Sequence, residues 1–314
     1  MLSIYKTEED TLLTLERPEK GCWLNLCDPT EGEIEFVSSQ LGFDLDWVRA
    51  SLDEEERARI EWDDGATLII VDVPRVEAEG SSFVYSTIPL GILFNDEAIV
   101  TVSLNESPII NDFIKGRVKS FYTFKKTRFI LQLLYKNATR FLMYLKQIDK
   151  ASSAVQNELH KSMKNKELIQ LLALEKSLVY FSTSLTSNEM VLDKMMKLGY
   201  IKKYQDDVEL LEDVIVENKQ AIEMCNIYRD ILSGTMDAFA SVISNNLNIV
   251  MKLMTSITII ISIPTLIASI WGMNVPLPLS GSKYGFWIIL GLSAALSALI
   301  ACLLYTSDAA DDLI

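Results

Sequence analysis

Two runs without a charged residue limit the fold of this chain more than any other feature. Neither 253–271 nor 286–305 contains Asp, Glu, Lys, Arg or His. Each run is long enough to cross a hydrocarbon core of ~30 Å as a helix. The sequence therefore predicts two membrane-spanning helices near the C-terminus, separated by a short loop.

The remainder of the chain is strongly charged. The formal net charge is −14, yet the mean hydropathy is +0.19, because the apolar residues are concentrated in the two runs. The N-terminal segment MLSIYKTEED has neither a basic stretch nor an apolar core, so we expect no secretory signal and a cytoplasmic N-terminal region. A sequence pI of about 4.6 argues against nucleic acid as a partner and favours cations.

The few histidines and cysteines exclude several classes of site. His160 is the single histidine, which argues against a histidine-dependent catalytic triad or a histidine-rich zinc site. The four cysteines (Cys22, Cys27, Cys225, Cys302) are scattered, and we expect buried reduced thiols. No arrangement of a nucleophile with a base supports an enzyme.

The first hundred residues carry strand and turn signals. Strands are predicted at 12–16, 22–26, 66–76, 82–94 and 97–104, where β-branched and aromatic residues alternate with Gly, Pro and Asn turns. Thr30 is the predicted N-cap of a helix that ends near Gly42, and a second short helix is predicted at 45–52. These mixed signals predict one α/β domain.

From about Pro108 the pattern becomes helical. Apolar residues recur at spacings of three, four and seven, and 164–166 and Gly199 are candidate breaks. After Asp206 there is no proline until Pro264, so one helix is predicted from about 206 to 270, ~95 Å long at 1.5 Å per residue. A helix of this length indicates a stalk that continues into the membrane.

The first span carries polar residues at regular intervals. Successive members of the set are separated by 3, 4, 3, 4, 3 and 4 positions, which places them on one stripe of a helix. The set is Asn248, Met251, Thr255, Thr258, Ser262, Thr265 and Ser269. Three interpretations are open: packing against another helix, hydroxyls bonded to carbonyls of their own helix, or a water-containing path. A path requires several copies of the chain, because two spans cannot enclose a pore.

The end of the first span is the most specific motif in the chain. Ile270-Trp271-Gly272-Met273-Asn274 is followed by Val275-Pro276-Leu277-Pro278, and the second span begins at Tyr284-Gly285-Phe286-Trp287. With the long stalk and two C-terminal spans, this arrangement resembles the CorA-type magnesium transporter family. The resemblance is strongest from about 228 to 287 and weak over the first hundred residues.

The resemblance implies specific roles for residues of this chain. Gly272, Met273 and Asn274 match the outer ion-selectivity motif, where a ring of Asn274 amides would hold Mg²⁺ through its water shell. The polar stripe becomes pore-lining, with Met251 or Met254 as a hydrophobic constriction. The family also implies a homopentamer in the cell membrane, with both termini cytoplasmic and transport driven by the membrane potential.

A regulatory metal site is implied between cytoplasmic domains of adjacent subunits. Asp213 matches one carboxylate of such a site, and Asp53 is the predicted partner. The alternative is that 53–56 is a solvated acidic run. Bound divalent ions would favour the closed state.

The predicted fold class is an α/β N-terminal cytoplasmic domain, a long helical stalk and two C-terminal transmembrane helices. The predicted segments are a cytoplasmic α/β domain (1–107), a cytoplasmic helical region (108–205), a stalk helix (206–252), a pore-lining transmembrane helix (253–274), an outer loop (275–285), a second transmembrane helix (286–305) and a tail (306–314). The predicted function is a divalent cation channel with Mg²⁺ as cargo and regulator. Zn²⁺, Co²⁺ or Ni²⁺ transport on the same scaffold and a membrane-anchored sensor or scaffold are the alternatives.

Overall fold

The structure, a computed structural model, describes residues 1–9, 11–79, 82–162, 165–198, 204–273 and 283–311. The chain divides into two compact units, Met1–Met236 and Asp237–Ile314. The N-terminal unit combines a sheet with helices, and the C-terminal unit consists of apolar helices. The predicted fold class is confirmed.

A seven-stranded mixed sheet organises the N-terminal unit. Its strands are β1 (Leu2–Glu8), β2 (Thr11–Leu15), β3 (Trp23–Cys27), β4 (Arg59–Asp63), β5 (Ala66–Glu79), β6 (Ser82–Phe94) and β7 (Ile99–Ser103). The spatial order is β2-β1-β3-β7-β6-β5-β4. The pair β3–β7 is parallel, and the other neighbours are antiparallel.

Two of these strands were absent from the sequence prediction. In β1 only Leu2 and Ile4 alternate with polar residues, and two apolar positions are too few to indicate a strand. In β4 only Ile60 is buried, and the flanking charged residues lie on the outer edge of the sheet. Charged residues on an edge strand discourage its pairing with another chain. The polar composition that suits β4 to the edge also hides it from a prediction based on apolar residues.

The helices of the N-terminal unit cover both faces of the sheet. They are α1 (Glu31–Leu41), α2 (Leu45–Ala50), α3 (Pro108–Ile114), α4 (Lys126–Ser162), α5 (Asn165–Leu198) and the first part of α6 (Gln205–Trp271). Ile34 and Val37 of α1 pack into the core on one face. Ile110 of α3, Phe129 of α4 and Leu211 of α6 belong to the core on the other.

Local chemistry explains the ends of α1. The Glu33 carboxylate accepts from the backbone N–H of Thr30 at 2.9 Å, which satisfies a donor at the start of the helix. Gly42 ends the helix with φ +70, a conformation that glycine adopts without a steric cost. Both predicted ends are confirmed. The predicted end of α2 at Leu52 is wrong by two residues, because Ser51 caps the helix.

The part of β5 that extends past the end of β4 has no neighbouring strand on that side, and side-chain amides bond to its backbone instead. Asn188 of α5 accepts from the N–H of Asp72 at 2.9 Å and donates to its carbonyl at 2.8 Å. Asn137 of α4 donates to the same carbonyl at 2.8 Å. Asn188 thus replaces the strand that would otherwise pair here, and it satisfies backbone groups that would be costly to leave unpaired.

The helix α6 is continuous over 67 residues with Pro264 inside it, as predicted. The second apolar run lies in α7 (Gly285–Asp311). The candidate break at Lys164 and that at Gly199 lie outside the described residues. Lys166 lies in the first turn of α5.

Candidate functional site

Two helices of the described chain are long and apolar enough to cross a membrane: α6 and, in α7, Gly285–Thr306. No residue in the most apolar window of α6 is buried within one chain. Apolar surface of this extent needs a covering of lipid or of other copies of the chain.

The predicted polar stripe lies on the exposed surface of α6. Its members and Met254 are all exposed within one chain: Asn248, Met251, Met254, Thr255, Thr258, Ser262, Thr265 and Ser269. A different stripe of the same helix loses exposure, since Ser256, Ile260 and Ile263 are half-buried. Within one chain, the polar stripe is therefore not the surface that packs.

Three of the stripe hydroxyls bond to the carbonyl one turn earlier. Thr258 donates to the carbonyl of Met254 at 2.7 Å, and Ser262 donates to that of Thr258 at 2.7 Å. Thr265 donates to the carbonyl of Ile261 at 3.1 Å. A hydroxyl that has donated its proton keeps acceptor lone pairs, so the stripe can still accept hydrogen bonds from water.

The motif at the end of the first span begins where α6 ends. The N–H of Gly272 donates to the carbonyl of Ala268 at 2.9 Å, and the N–H of Met273 donates to that of Ile270 at 3.3 Å. A Cβ on Gly272 would approach the Ala268 oxygen to 3.2 Å, so glycine suits this position. The C-terminus of a helix carries a partial negative charge that favours cations. Asn274 and 275–282 lie outside the described residues.

The two predicted regulatory carboxylates are both exposed and lie on separate elements. Asp53 follows α2 in a turn, where its carboxylate accepts from the N–H of Glu55 at 3.0 Å. Asp213 lies on α6. In the part of the chain that the structure describes, no three His, Cys, Asp or Glu side chains lie close enough together to hold a metal ion. The pairing of Asp53 with Asp213 thus stays a prediction.

The segment just before Asp53 makes a contact that the sequence did not predict. Ser51, two residues earlier, is completely buried and donates to the carbonyl of Trp47 at 3.0 Å. It lies on Gly91 of β6, where a Cβ would overlap the Ser51 side chain. A glycine within a strand pattern signals close approach of another segment, but it does not identify that segment.

The cysteines occupy different environments. Cys22 and Cys225 are buried as expected, whereas Cys27 is half-buried and Cys302 is exposed on α7. The expectation that all four are buried is wrong, because Cys302 lies on a helix surface that one chain leaves uncovered. Burial raises the pKa of the Cys225 thiol to about 12. The side chain of His160 lies outside the described residues.

Known proteins resemble this chain over most of its length. The chain is 29% identical over 285 residues to the cobalt/magnesium transport protein CorA of Methanocaldococcus jannaschii, covering 86% of this chain and 85% of that protein. It is 22% identical over 317 residues to the magnesium transport protein CorA of Campylobacter jejuni, covering 93% and 94% of the two chains. The complete structure of the CorA magnesium transporter from Methanocaldococcus jannaschii has the same fold, with a TM-score of 0.83, 24% identity and coverage of 98% and 96%.

The family comparison covers nearly the whole chain. Residues 18–305 match the family described as CorA-like Mg2+ transporter protein. This range includes most of the sheet, the stripe on α6 and the outer motif. The chain therefore belongs to the CorA-like Mg2+ transporter protein family.

Proposed function

We propose that the protein carries divalent cations, with Mg²⁺ as the principal cargo, through a pore formed by five copies of the chain. The observation that carries this proposal is the exposed polar stripe on α6, a helix that is followed directly by Gly272 and Met273. The names of the relatives, which specify magnesium or cobalt and magnesium, support both ions as cargo.

An assembly follows from the number of spans. Two helices in one chain cannot enclose a path, whereas a ring of copies would bring the same stripe of α6 together repeatedly. The half-buried stripe that contains Ser256 and Ile260 would then face away from the pore. The homopentamer itself rests on the family resemblance.

The stripe suits an ion that keeps its water shell. The waters around Mg²⁺ donate hydrogen bonds, and Thr258, Ser262 and Thr265 have already donated their own protons, so their oxygens are acceptors. Mg²⁺ loses water reluctantly, and a pore that binds the hydrated ion avoids that cost. At the outer end, Asn274 supplies further amide oxygens and the C-termini of the five α6 helices supply partial negative charge.

Two methionines near the start of the stripe provide a gate. Met251 and Met254 are exposed on α6, at 60% and 54%, and a ring of either would narrow the path with apolar surface. Such a constriction excludes water and ions until the helices separate.

The membrane potential supplies the driving force. Moving one charge through 100 mV releases ~2.3 kcal/mol, and a divalent ion releases roughly twice as much. This arrangement imports cations when both termini lie in the cytoplasm and α6 and α7 cross the cell membrane. The sequence has no GxxxxGK[ST] motif for coupling to ATP.

Cytoplasmic divalent ions close the pore in this proposal. Asp213 and Asp53 are exposed, so carboxylates from adjacent copies can share one ion. Loss of the ion would leave like charges facing each other across the interface and loosen it. Millimolar Mg²⁺ should then protect the protein from protease, and Asp213→Ala should lose much of this protection. Protection of Asp213→Ala at the wild-type Mg²⁺ concentration would place the regulatory site elsewhere.

Flux into liposomes tests the proposal directly. The purified protein is reconstituted, and uptake of Mg²⁺ is compared with uptake of Zn²⁺, Co²⁺ and Ni²⁺ under an imposed potential. Asn274→Ala and Thr258→Val should each reduce Mg²⁺ uptake strongly. Ser256→Ala, on the half-buried stripe of the same helix, is the matched control and should retain uptake.

The same preparation distinguishes the alternatives. Faster uptake of Zn²⁺, Co²⁺ or Ni²⁺ than of Mg²⁺ would identify a transition-metal transporter on this scaffold. A native mass spectrum with only monomers or dimers, together with no flux of any ion, would favour a membrane-anchored sensor or scaffold. Normal uptake by Asn274→Ala would refute the role of the outer motif.

A further inference from the structure

A crevice opens at the carboxyl ends of the two parallel strands, β3 and β7. The chain leaves β3 toward α1, which packs on one face of the sheet. It leaves β7 toward α3, which packs on the opposite face. Where connections diverge in this way, a crevice forms outside the strand ends, and ligands of α/β proteins bind preferentially at such points.

The floor of the crevice presents a fixed hydrogen-bond donor, the side-chain amide of Asn25. Trp23, which can only donate, gives its indole N–H to the Thr101 hydroxyl at 2.9 Å. Thr101 in turn donates to Asn25 Oδ1 at 2.9 Å. This chain of bonds orients Asn25 so that its NH₂ group is the atom left over.

The amide nitrogen of Asn25 has no hydrogen-bond partner among the described residues, although the side chain is only 9% exposed. This nitrogen is not one of the fully buried side-chain atoms that lack a partner in the described chain, so it is open to solvent at the floor of the crevice. Asn25 lines the crevice, so an acceptor on a ligand bound there can take its hydrogen bond in place of water.

The mouth of the crevice is acidic. Two acidic residues, Asp28 and Glu106, line it and are exposed. Among the described lining residues the one positive group is the ammonium of Met1, which is 3.2 Å from the Glu33 carboxylate and donates to the carbonyls of Cys27 and Asp28. The rim therefore favours a cation and disfavours an anion.

The remaining walls combine apolar and hydroxyl or amide side chains. Ile110 and Ile114 of α3 form an apolar side, and Ser3, Asn105 and Asn111 add polar groups. The volume is about 560 Å³, within the usual range for sites that bind small molecules.

We propose that this crevice binds a small organic ammonium ion that carries hydroxyl groups, in the manner of an amino sugar. A hydroxyl oxygen of the ligand accepts from Asn25 at the floor, and its ammonium group donates to Asp28 and Glu106 at the rim. The inference does not depend on transport, because every residue in it belongs to the N-terminal unit.

Calorimetric titration of the full chain, in a detergent without a sugar headgroup, tests the proposal with three probes at pH 6.5. Glucosamine has both recognition groups, glucose lacks the ammonium group, and cyclohexylamine lacks the hydroxyls. We expect saturable binding of glucosamine and at least several-fold weaker binding of the other two.

Variants test the two ends of the crevice separately. Asn25→Leu keeps a similar side-chain size and removes the free donor without adding a charge, and it should weaken glucosamine binding roughly tenfold or more. Glu106→Gln changes an exposed side chain, so it should leave the fold intact, and it should weaken binding about 2–5-fold, as expected for one exposed ion pair. Glu35→Gln, an exposed carboxylate on α1 away from the crevice, is the matched control and should bind as wild type.

Three results would overturn the proposal. The first is no saturable binding of glucosamine. The second is equal affinity for glucosamine and glucose, which would remove the role of the acidic rim. The third is an unchanged affinity in Glu106→Gln and, where it folds, in Asn25→Leu. None of these results bears on ion flux, so the proposed transport would be unaffected.

Discussion

Replacing Gly91 by alanine should destabilise the N-terminal unit through a single overlap. Gly91 lies on β6, and a Cβ there would overlap the Oγ and Cβ of Ser51. A rotamer change can move Oγ but not Cβ, so the end of α2 must shift away from the sheet. Overpacking of a core usually costs about 1–3 kcal/mol, and a fully buried neighbour places this case near the upper end.

A second substitution, at Ser51, should relieve the overlap that Gly91→Ala creates. Ser51→Gly removes both overlapping atoms, and the nearest remaining atom, the Ser51 Cα, lies at 3.6 Å, an ordinary contact. Alone, Ser51→Gly loses the hydrogen bond to Trp47 and should cost about 1 kcal/mol. The double variant should therefore be more stable than Gly91→Ala alone, with a coupling energy of roughly 3 kcal/mol.

Thermal unfolding of the purified full chain measures these effects. A loss of about 3 kcal/mol corresponds to a fall in Tm of roughly 6–12 °C for a unit of this size. Gly32→Ala on α1 is the matched control: its Cβ would meet no atom within 4 Å, and alanine in a helix should stabilise by about 0.5–1 kcal/mol. A fall in Tm for Gly91→Ala no larger than that for Ser51→Gly would refute the overlap, and so would two losses that simply add in the double variant.

Three further predictions concern the N-terminal unit. Asn188→Ala should leave the N–H of Asp72 without a partner, cost about 1–3 kcal/mol and speed hydrogen exchange of that amide; unchanged exchange would contradict it. Burial raises the pKa of Asp72, against the effect of a bond to Ser184. The protonated carboxyl of Asp72 therefore stabilises the folded protein fully below pH 3.8, the ordinary pKa of an aspartate. This stabilisation is lost as the pH rises through the higher pKa that Asp72 has in the folded state. Asp72→Asn should accordingly raise Tm more at pH 7 than at pH 4, and an equal gain at both would refute this. Cys225, with a pKa of about 12 and an S–H donated to the carbonyl of Leu178 at 3.1 Å, should resist alkylation at pH 8 in the folded protein and react once it is unfolded; rapid reaction in the folded state would contradict its burial.

Features that depend on neighbouring residues could be predicted from the sequence. The ends of α1 follow from Thr30, Glu33 and Gly42, which lie within the helix or next to it. The long α6 follows from 67 residues without a glycine or proline pattern strong enough to break it, and the apolar runs follow from composition alone. The polar stripe needs only the helical period, so the placement of its members along one stripe of α6 was predictable as soon as the helix was.

Features that join distant segments were decided by the tertiary structure. The strands β1 and β4 have weak local signals, and their extended conformation depends on pairing with neighbouring strands. Ile4 of β1 pairs with Leu15 of β2 and Leu24 of β3. Ile60 of β4 pairs with Ile69 of β5. The contact of Ser51 with Gly91 and the bonds of Asn188 to Asp72 join residues 40 and 116 positions apart.

The crevice at Asn25 is also a feature that only the tertiary structure decided. Its polar residues come from β1, β3 and the segment after β7, and no spacing along the chain connects them. Only the parallel pairing of β3 with β7 brings Asn25 beside Thr101 and leaves its amide nitrogen facing the crevice. The sequence by itself determined the elements whose energy is local, namely caps, helical period and apolar length. The tertiary structure decided the sheet order and the crevice, because hydrogen bonds and packing between distant segments become favourable only after the chain has brought them together.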